Sequence, residues 1–554
     1  MRCVRFLLPA AASLQECGDT GSDTIQHKAR RNSQTVKKQL RRTSQILFLL
    51  IFFILLIKTD YSGQNEIPYP VKIFLDFDPL AFLSTLISAH TVPATLLLSL
   101  FLVGLTIFLG RVFCSWVCPL GTLTNAVSFY GKPHEERRGE KSRHARYKYL
   151  LLFFVLGGAL AGIEIAGIFD PVSLIIRSLS LSVIPAIDWL TRAVLEPLYI
   201  ANIPLLSELA DLILSLLEKT ILPFRSVFFR QALLVGLLFA GILAASRITT
   251  RFWCRYLCPL GALLGLLSRF QVLKLTMNDR CTACNLCAAV CQGGARPHVR
   301  DGWSSTECIM CFNCEKECPE EALEWTFSLK GTSRDRIDIR RRRFVQAFGL
   351  GIVTVGFQKA TPAGHVTPPL LIRPPGSLAE EEFLRRCIRC GECMKVCITG
   401  GLQPTLLEAG ITGIWSPLLV PKIGYCEFNC TLCGQVCPTG AIKELMLPEK
   451  QKTKIGLAFV DTGRCIPFAF GRPCIVCEEF CPTPKKAIYF KKIKSPDGEV
   501  VNAPVIDIDL CIGCGICETV CPVNDIPGVR ITSAGESRNP DKRLDLKAVG
   551  YPAK

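Results

Sequence analysis

The chain has 554 residues, of which 49% are hydrophobic and only 20% charged, with a mean hydropathy of +0.33 and a formal net charge of +17. That length argues against one compact body, and the excess of apolar over charged residues argues against an ordinary soluble enzyme and for a membrane protein. The basic residues crowd into Lys28 to Arg42, Lys132 to Lys148 and Arg340 to Arg343, each beside an apolar run, as cytoplasmic flanks of membrane spans do. No aromatic-interleaved basic patch accompanies them, so no nucleic-acid partner is expected.

Residues 1–45 form a basic cytoplasmic arm, polar enough to be read as largely disordered, with Cys3 and Cys17 in it. Residues 46–260 are an α-helical membrane domain with about four spans: Ile46 to Ile57, Thr91 to Leu109, Tyr149 to Phe169 and Phe228 to Ala245. The loop Lys132 to Lys148 carries seven Lys and Arg residues, while the segment after the first span is poor in them. The N-terminus, that loop and whatever follows the fourth span therefore face the cytoplasm. The domain also repeats itself: each half reads span, FDP, apolar segment, span, then RVFCSWVCPLG or RFWCRYLCPLG, with an insertion before the last span of the second half. An internal duplication about a local two-fold axis explains this order, and the segments after each FDP are re-entrant or interfacial helices.

Cys114, Cys118, Cys254 and Cys258 make up two CxxxCP pairs at a membrane edge. If each span continues through its pair, cysteines four apart share a helical face. The duplication then brings four thiols together as a candidate metal centre, suited to an iron-sulfur cluster or Cu(I), with reduced thiols packed at a helix end as the plain alternative. Glu164 is an ionisable group inside an apolar span and hence a candidate functional residue, with His90 a second. Asp78 and Asp170 of the FDP repeats read more simply as turn or helix-cap residues.

Residues 270–330 contain CTACNLCAAVC and CIMCFNCEKECP, the bacterial ferredoxin run in which three cysteines hold one cluster and the fourth ligates its neighbour. Cys281, Cys284, Cys287 and Cys318 are assigned to one 4Fe-4S cluster, and Cys308, Cys311, Cys314 and Cys291 to the other. Zinc is the alternative, but it needs pairs of CxxC and not triplets with a trailing cysteine. Residues 340–360 follow, where Arg341, Arg342 and Phe344 match the core of a twin-arginine export signal ahead of a moderate apolar run. A stop-transfer helix is the alternative, and cleavage near Ala360 to Ala363 is open.

Residues 375–535 hold four more cysteine groups, and 536–554 are a tail. The outer two groups share C-I-x-C-G-x-C, whereas the inner two carry extra residues after their first cysteine. Pairing like with like predicts a nested order. Cys387, Cys390, Cys393 and Cys521 then form one site, with Cys511, Cys514, Cys517 and Cys397 as its partner. The inner pair becomes Cys426, Cys430, Cys433 and Cys481 with Cys465, Cys474, Cys477 and Cys437. Sequential pairing, which exchanges the fourth ligands, is the rival.

The duplicated CxxxCP domain followed by CTACNLCAAVC and CIMCFNCEKECP resembles the NapH and MauN membrane ferredoxins, and residues from about 340 onward resemble the periplasmic NapG and MauM ferredoxin-type proteins. The resemblance implies a bacterial inner-membrane protein that takes electrons from membrane quinol through six 4Fe-4S clusters to a periplasmic reductase or c-type cytochrome. It also implies a four-cluster α+β domain exported with the Tat translocon. A copper-reducing assembly factor of the CcoG type is the alternative, although four extra clusters are more than copper handling needs. No Rossmann fingerprint, P-loop or C-x-x-C-H haem site is present, so an electron carrier is favoured over an enzyme with a substrate pocket of its own.

Overall fold

A computed structural model describes residues 20–130, 143–200, 204–220, 222, 226–300, 302–328, 341–360, 370–494 and 498–542. Cys3, Cys17, most of the basic loop after Gly131, the candidate cleavage region beyond Ala360 and the last residues of the tail lie outside them. The chain begins with one helix, α1 (Thr20–Lys58). The basic arm is thus helical from Thr20 on and not the disordered segment its polarity suggests. Lys, Arg and Gln are good helix formers, no proline interrupts them, and the arm continues directly into the apolar run that nucleates the helix.

Two homologous sets of helices follow. The first comprises α2 (Pro79–Ala89), α3 (Ser99–Leu109), α4 (Val112–Trp116) and α5 (Pro119–Tyr130). The second comprises α6 (Tyr147–Leu160), α7 (Pro171–Ser178), α8 (Ile184–Ile200), α9 (Pro204–Thr220), α10 (Ala232–Ile248), α11 (Phe252–Tyr256) and α12 (Pro259–Leu267). The insertion read from the sequence is the α8–α9 hairpin, tied by Arg192 to Glu218 of α9 (3.3 Å), while Asp188 of α8 holds the same guanidinium (2.9 Å).

Among the described residues two helices are long and apolar enough to cross a membrane, Thr35–Lys58 and Pro171–Pro197; four shorter apolar helices are Pro79–Ala89, Thr95–Leu109, Ala232–Ile248 and Pro259–Phe270. Of the four expected spans, the first lies in a helix of that length, Thr35–Lys58, and the others coincide with shorter helices among the described residues. The third run stops at Leu160 and turns through Gly162 at φ +85°, so that Glu164 lies in a break between helices. The segment after the second FDP, expected to be re-entrant or interfacial, is part of one of the two long helices because a π-helical stretch, Leu179–Val183, joins α7 to α8 without interruption.

The ferredoxin units add short strands. Strands β1 (Leu273–Met277) and β2 (Leu323–Phe327) pair antiparallel, bracketing the first two cysteine groups. The helix α13 (Arg341–Ala360) leads to the second unit. There β3 (Leu402–Pro404) pairs with β4 (Pro417–Leu419), β5 (Leu457–Val460) with β8 (Val529–Thr532), and β6 (Ile488–Lys494) with β7 (Val500–Ile506), all antiparallel.

The two units dock on either side of the apolar run of α1. Ahead of that run, near the middle of the helix, Lys37 pairs with Glu315 of the first unit at 2.8 Å and lies over the Phe312 ring. Past its end, Lys395 of the second unit donates to the Thr59 carbonyl (2.8 Å) and pairs with Asp60 (3.1 Å). At 1.5 Å per residue, positions 37 and 59 are about 33 Å apart. Ile309 and Cys311 from one unit and Ile388 and Cys390 from the other are buried in the same helical core as Cys114, Cys118 and Cys258.

Candidate functional site

The cysteine loops have a shared local conformation. The residues on either side of the second cysteine are left-handed in four groups: Ala283 and Asn285, Met310 and Phe312, Arg389 and Gly391, Gly513 and Gly515. Such a loop folds three cysteines of one short stretch around a common centre, and glycine meets the conformation without a Cβ clash. The fourth cysteine of several groups accepts a backbone hydrogen bond at sulfur: Ala295 to Cys291 (3.3 Å), Ala322 to Cys318 (3.3 Å), Ile442 to Cys437 (3.4 Å) and Gly528 to Cys521 (3.3 Å).

In the first unit, Cys281, Cys284, Cys287 and Cys318 line one cavity and Cys291, Cys308, Cys311 and Cys314 line another. The second unit corrects the nested order. Cys437, not Cys521, joins Cys387, Cys390 and Cys393, and Cys397, not Cys481, joins Cys426, Cys430 and Cys433. Cys521, not Cys437, joins Cys465, Cys474 and Cys477, while Cys481, not Cys397, lies within electrostatic reach of Cys511 and Cys514. The physical reason is strand pairing. β5 precedes Cys465 and β8 follows Cys521, so their ladder closes the third and fourth groups into one unit, as β1 and β2 close the first unit. Similarity between the outer motifs reflects loop conformation, not partnership.

These quartets fit four-iron clusters. Each of these cavities is lined by four thiols. Among the described residues no three His, Cys, Asp or Glu side chains close on one point to hold a single metal ion. A tetrahedral zinc with sulfurs 2.3 Å away would draw them to about 3.8 Å of one another, whereas a cubane, with one sulfur per iron, spreads them wider. Burial pushes Cys287 up to about 11, with the neighbouring Cys318 adding to it.

Cys114, Cys118, Cys254 and Cys258 are all buried, and Cys118 and Cys258 each lie within electrostatic reach of Cys254 and Cys114. The route differs from the expected one. The helix stops before the second cysteine of each pair, because Pro119 and Pro259 begin the next helix. The sulfurs of Cys118 and Cys258 instead accept from the Gly121 and Gly261 amides at 3.4 and 3.1 Å. Two buried arginines cross between the repeats. Arg111 lies 4.0 Å from the Cys114 sulfur and beside Gly261, and Arg251 donates to the Cys114 carbonyl (2.8 Å) beside Gly121. Arg111 also donates to the Thr306 carbonyl (2.9 Å), and Trp116 to that of Met310 (3.0 Å), so the quartet abuts the Cys308 loop.

The polar candidates separate. Asp78 and Asp170 cap α2 and α7, accepting from Leu80 (2.8 Å) and Ser173 (2.7 Å), and their carboxyls face each other across the repeat. Glu164 is fully buried; its carboxylate faces Ser84 and Arg389 without closing a hydrogen bond, and its carbonyl accepts from the Arg389 guanidinium. His90 is an exposed C-cap residue of α2 at φ +52°. The sequence reading missed Arg111, Arg251 and Arg389, although each stands within three residues of a motif cysteine.

The quartets and their loops define an iron-sulfur ferredoxin-type protein. The family signature described as a 4Fe-4S binding domain matches residues 91–134, 231–278 and 433–455, and a 4Fe-4S dicluster domain matches 472–524. The chain is 31% identical over 194 residues to the methylamine utilization ferredoxin-type protein MauM of Methylophilus methylotrophus, covering 34% of this chain and 84% of that protein. It is 33% identical over 181 residues to MauM of Methylorubrum extorquens (31% and 79%), and 32% over 202 residues to the ferredoxin-type protein NapG of Escherichia coli (34% and 84%). No solved structure matches. The chain belongs to the MauM/NapG family of ferredoxin-type electron-transfer proteins.

Proposed function

We propose that the chain is a membrane-embedded electron conduit, a NapH/MauN-type quinol-oxidising ferredoxin fused to a NapG/MauM-type four-cluster ferredoxin. The reading is carried by the two ferredoxin units docked on either side of the apolar run of α1, at Lys37 and at Thr59, about 33 Å apart and close to the roughly 30 Å of a bilayer core. With the basic flanks on the cytoplasmic side of a bacterial inner membrane, the first unit is cytoplasmic and the second periplasmic. The domain boundaries are those of the sequence reading.

When bound, 4Fe-4S clusters supply one-electron storage at each of the six quartets. The cysteines proposed to hold them are those that line each cavity, with the sequential pairing in the second unit. The CxxxCP quartet is proposed as a further centre, since two buried guanidiniums beside four thiols suit thiolates bound to metal. Quinol loses two electrons and two protons on becoming quinone. Glu164 is the proposed acceptor of one of these protons, the other leaving to solvent, because its buried carboxylate closes no hydrogen bond and its own amide donates to Leu384 of the second unit (3.1 Å). A periplasmic reductase or c-type cytochrome is the proposed acceptor of the electrons.

The α13 helix is proposed to remain as an anchor after Tat-dependent export. Its support is close packing on α6: a Cβ on Gly351 would fall 2.1 Å from the Phe154 carbonyl, and one on Gly157 would fall 2.2 Å from that of Phe348. An anaerobic redox titration followed by EPR, with and without a menaquinol, tests the conduit. Quinol-dependent reduction of the iron-sulfur signals is expected; signals that stay oxidised in quinol while dithionite reduces them would overturn it.

A further inference from the structure

The third cysteine group contains an insertion, IPFAFGRP, between Cys465 and Cys474 that cluster binding does not require. It forms a short helix, Ile466–Phe470, whose Pro467 lines the cavity of that quartet. On the segments that link this group's cysteines three large apolar side chains stay in solvent: Phe470 is 63% exposed, Ile475 57% and Phe480 53%. Ile475 and Phe480 belong to the segment that carries Cys474, Cys477 and Cys481. Exposed aromatic and aliphatic groups on the loop that carries a cofactor's ligands mark an interaction surface when a polar rim surrounds them.

The rim is basic. Pro504 of β7 lines the same cavity, and its strand partner β6 presents exposed Lys491, Lys492 and Lys494, preceded by exposed Lys485 and Lys486. Between residues 485 and 494 there is no acid, and the residues opposite Lys491, Lys492 and Lys494 are the uncharged Ala503, Asn502 and Val500. Lys486 donates to the carbonyls of Glu479 and Cys481, both at 2.8 Å, which fixes the start of the basic stretch beside the apolar one. Glu478, Glu479 and Asp525 on the loops, and Asp497 and Glu499 at the hairpin turn in sequence, are the nearby acids.

Position in the series points the same way. Cys393 is within electrostatic reach of Cys433, Cys426 donates its amide to the Cys514 carbonyl (2.8 Å), and Cys517 is within reach of Cys477. The quartets thus run from Cys387, buried against the helical core, to Cys465 at the far end.

We propose that the surface formed by Phe470, Ile475 and Phe480 within the lysine rim of residues 485–494 is the docking site for a soluble one-electron carrier protein with an acidic face. This rests on the conduit reading, in which the Cys465 quartet is the last station. Apolar contact at the centre permits close approach, and opposite charge at the rim speeds encounter without lengthening residence.

The test uses the full chain in detergent with two probes, an acidic c-type cytochrome and a strongly basic one, and measures Kd at rising salt. The acidic probe is expected to bind more tightly, to weaken as the Debye length shrinks from about 30 to 8 Å, and to lose at least about tenfold in affinity in the variant K485E/K491E/K492E. Phe470→Ser is expected to weaken it without changing the salt slope. Equal affinity of wild type and triple variant for the acidic probe, or preference of the wild type for the basic one, overturns the proposal. Iron and labile sulfide counted on the same samples report on the quartets separately from the docking surface.

Discussion

Glu380 shows how much one side chain can hold. Its carboxylate pairs with Arg373 and, at 2.7 Å, with Arg538, and so ties the start of the second unit to its end. Burial alone would push its pKa up, but the two guanidiniums outweigh burial and hold it at about 2. A carboxyl depressed in the folded state stabilises the fold fully above its unfolded value near 4.3, and that contribution fades as pH falls through the folded value. Glu380→Gln leaves Arg373 buried without its counter-charge and is expected to cost about 3 kcal/mol, read as a lower unfolding midpoint at pH 7. The difference from wild type should shrink below about pH 4. At the same scale, Cys437→Ser should convert the Cys387 site, not the Cys511 site, to a three-iron EPR signal; a changed Cys511 site with an intact Cys387 site would restore the nested order.

At the scale of elements, α6 and α13 meet through glycines, the means by which helices without a hydrophobic driving force between them approach closely. The contact is selective along α13: Gly351 faces the Phe154 carbonyl, whereas Gly349 and Gly356 have open space beyond their Cα atoms. Gly351→Leu is therefore expected to separate the helices and lower the thermal midpoint in detergent by several degrees. Gly356→Ala should be neutral or raise stability by up to about 1 kcal/mol through helix propensity. Equal behaviour of the two variants would mean that the crossing is not held by this contact. The apolar pattern alone made Tyr149 to Phe169 one span, because periodicity does not register a turn at Gly162; the turn holds Glu164 where it meets the second unit.

For the whole molecule, the two ferredoxin units share one helical core but meet α1 on opposite sides of its apolar run. A phosphatase reporter fused after Lys554 should be active only outside the cytoplasm, and one placed at residue 330 inactive there; the reverse pattern would overturn the topology. The mature protein should run as a single polypeptide, since α13 packs into the bundle at Val355, which is fully buried.

The cysteine triplets and the duplication were legible in the sequence, because each depends on spacing within a few residues or on a repeated local order. A C-x2-C-x2-C loop can hardly fold without bringing its three sulfurs together. The fourth cysteine was not legible: it arrives from a separate group, and which group comes near is decided by strand pairing between β5 and β8, some seventy residues apart. The same holds for Arg111 and Arg251, which reach across the repeat to the other half's glycine. Such contacts are set by packing of distant segments, a quantity that local sequence pattern does not encode.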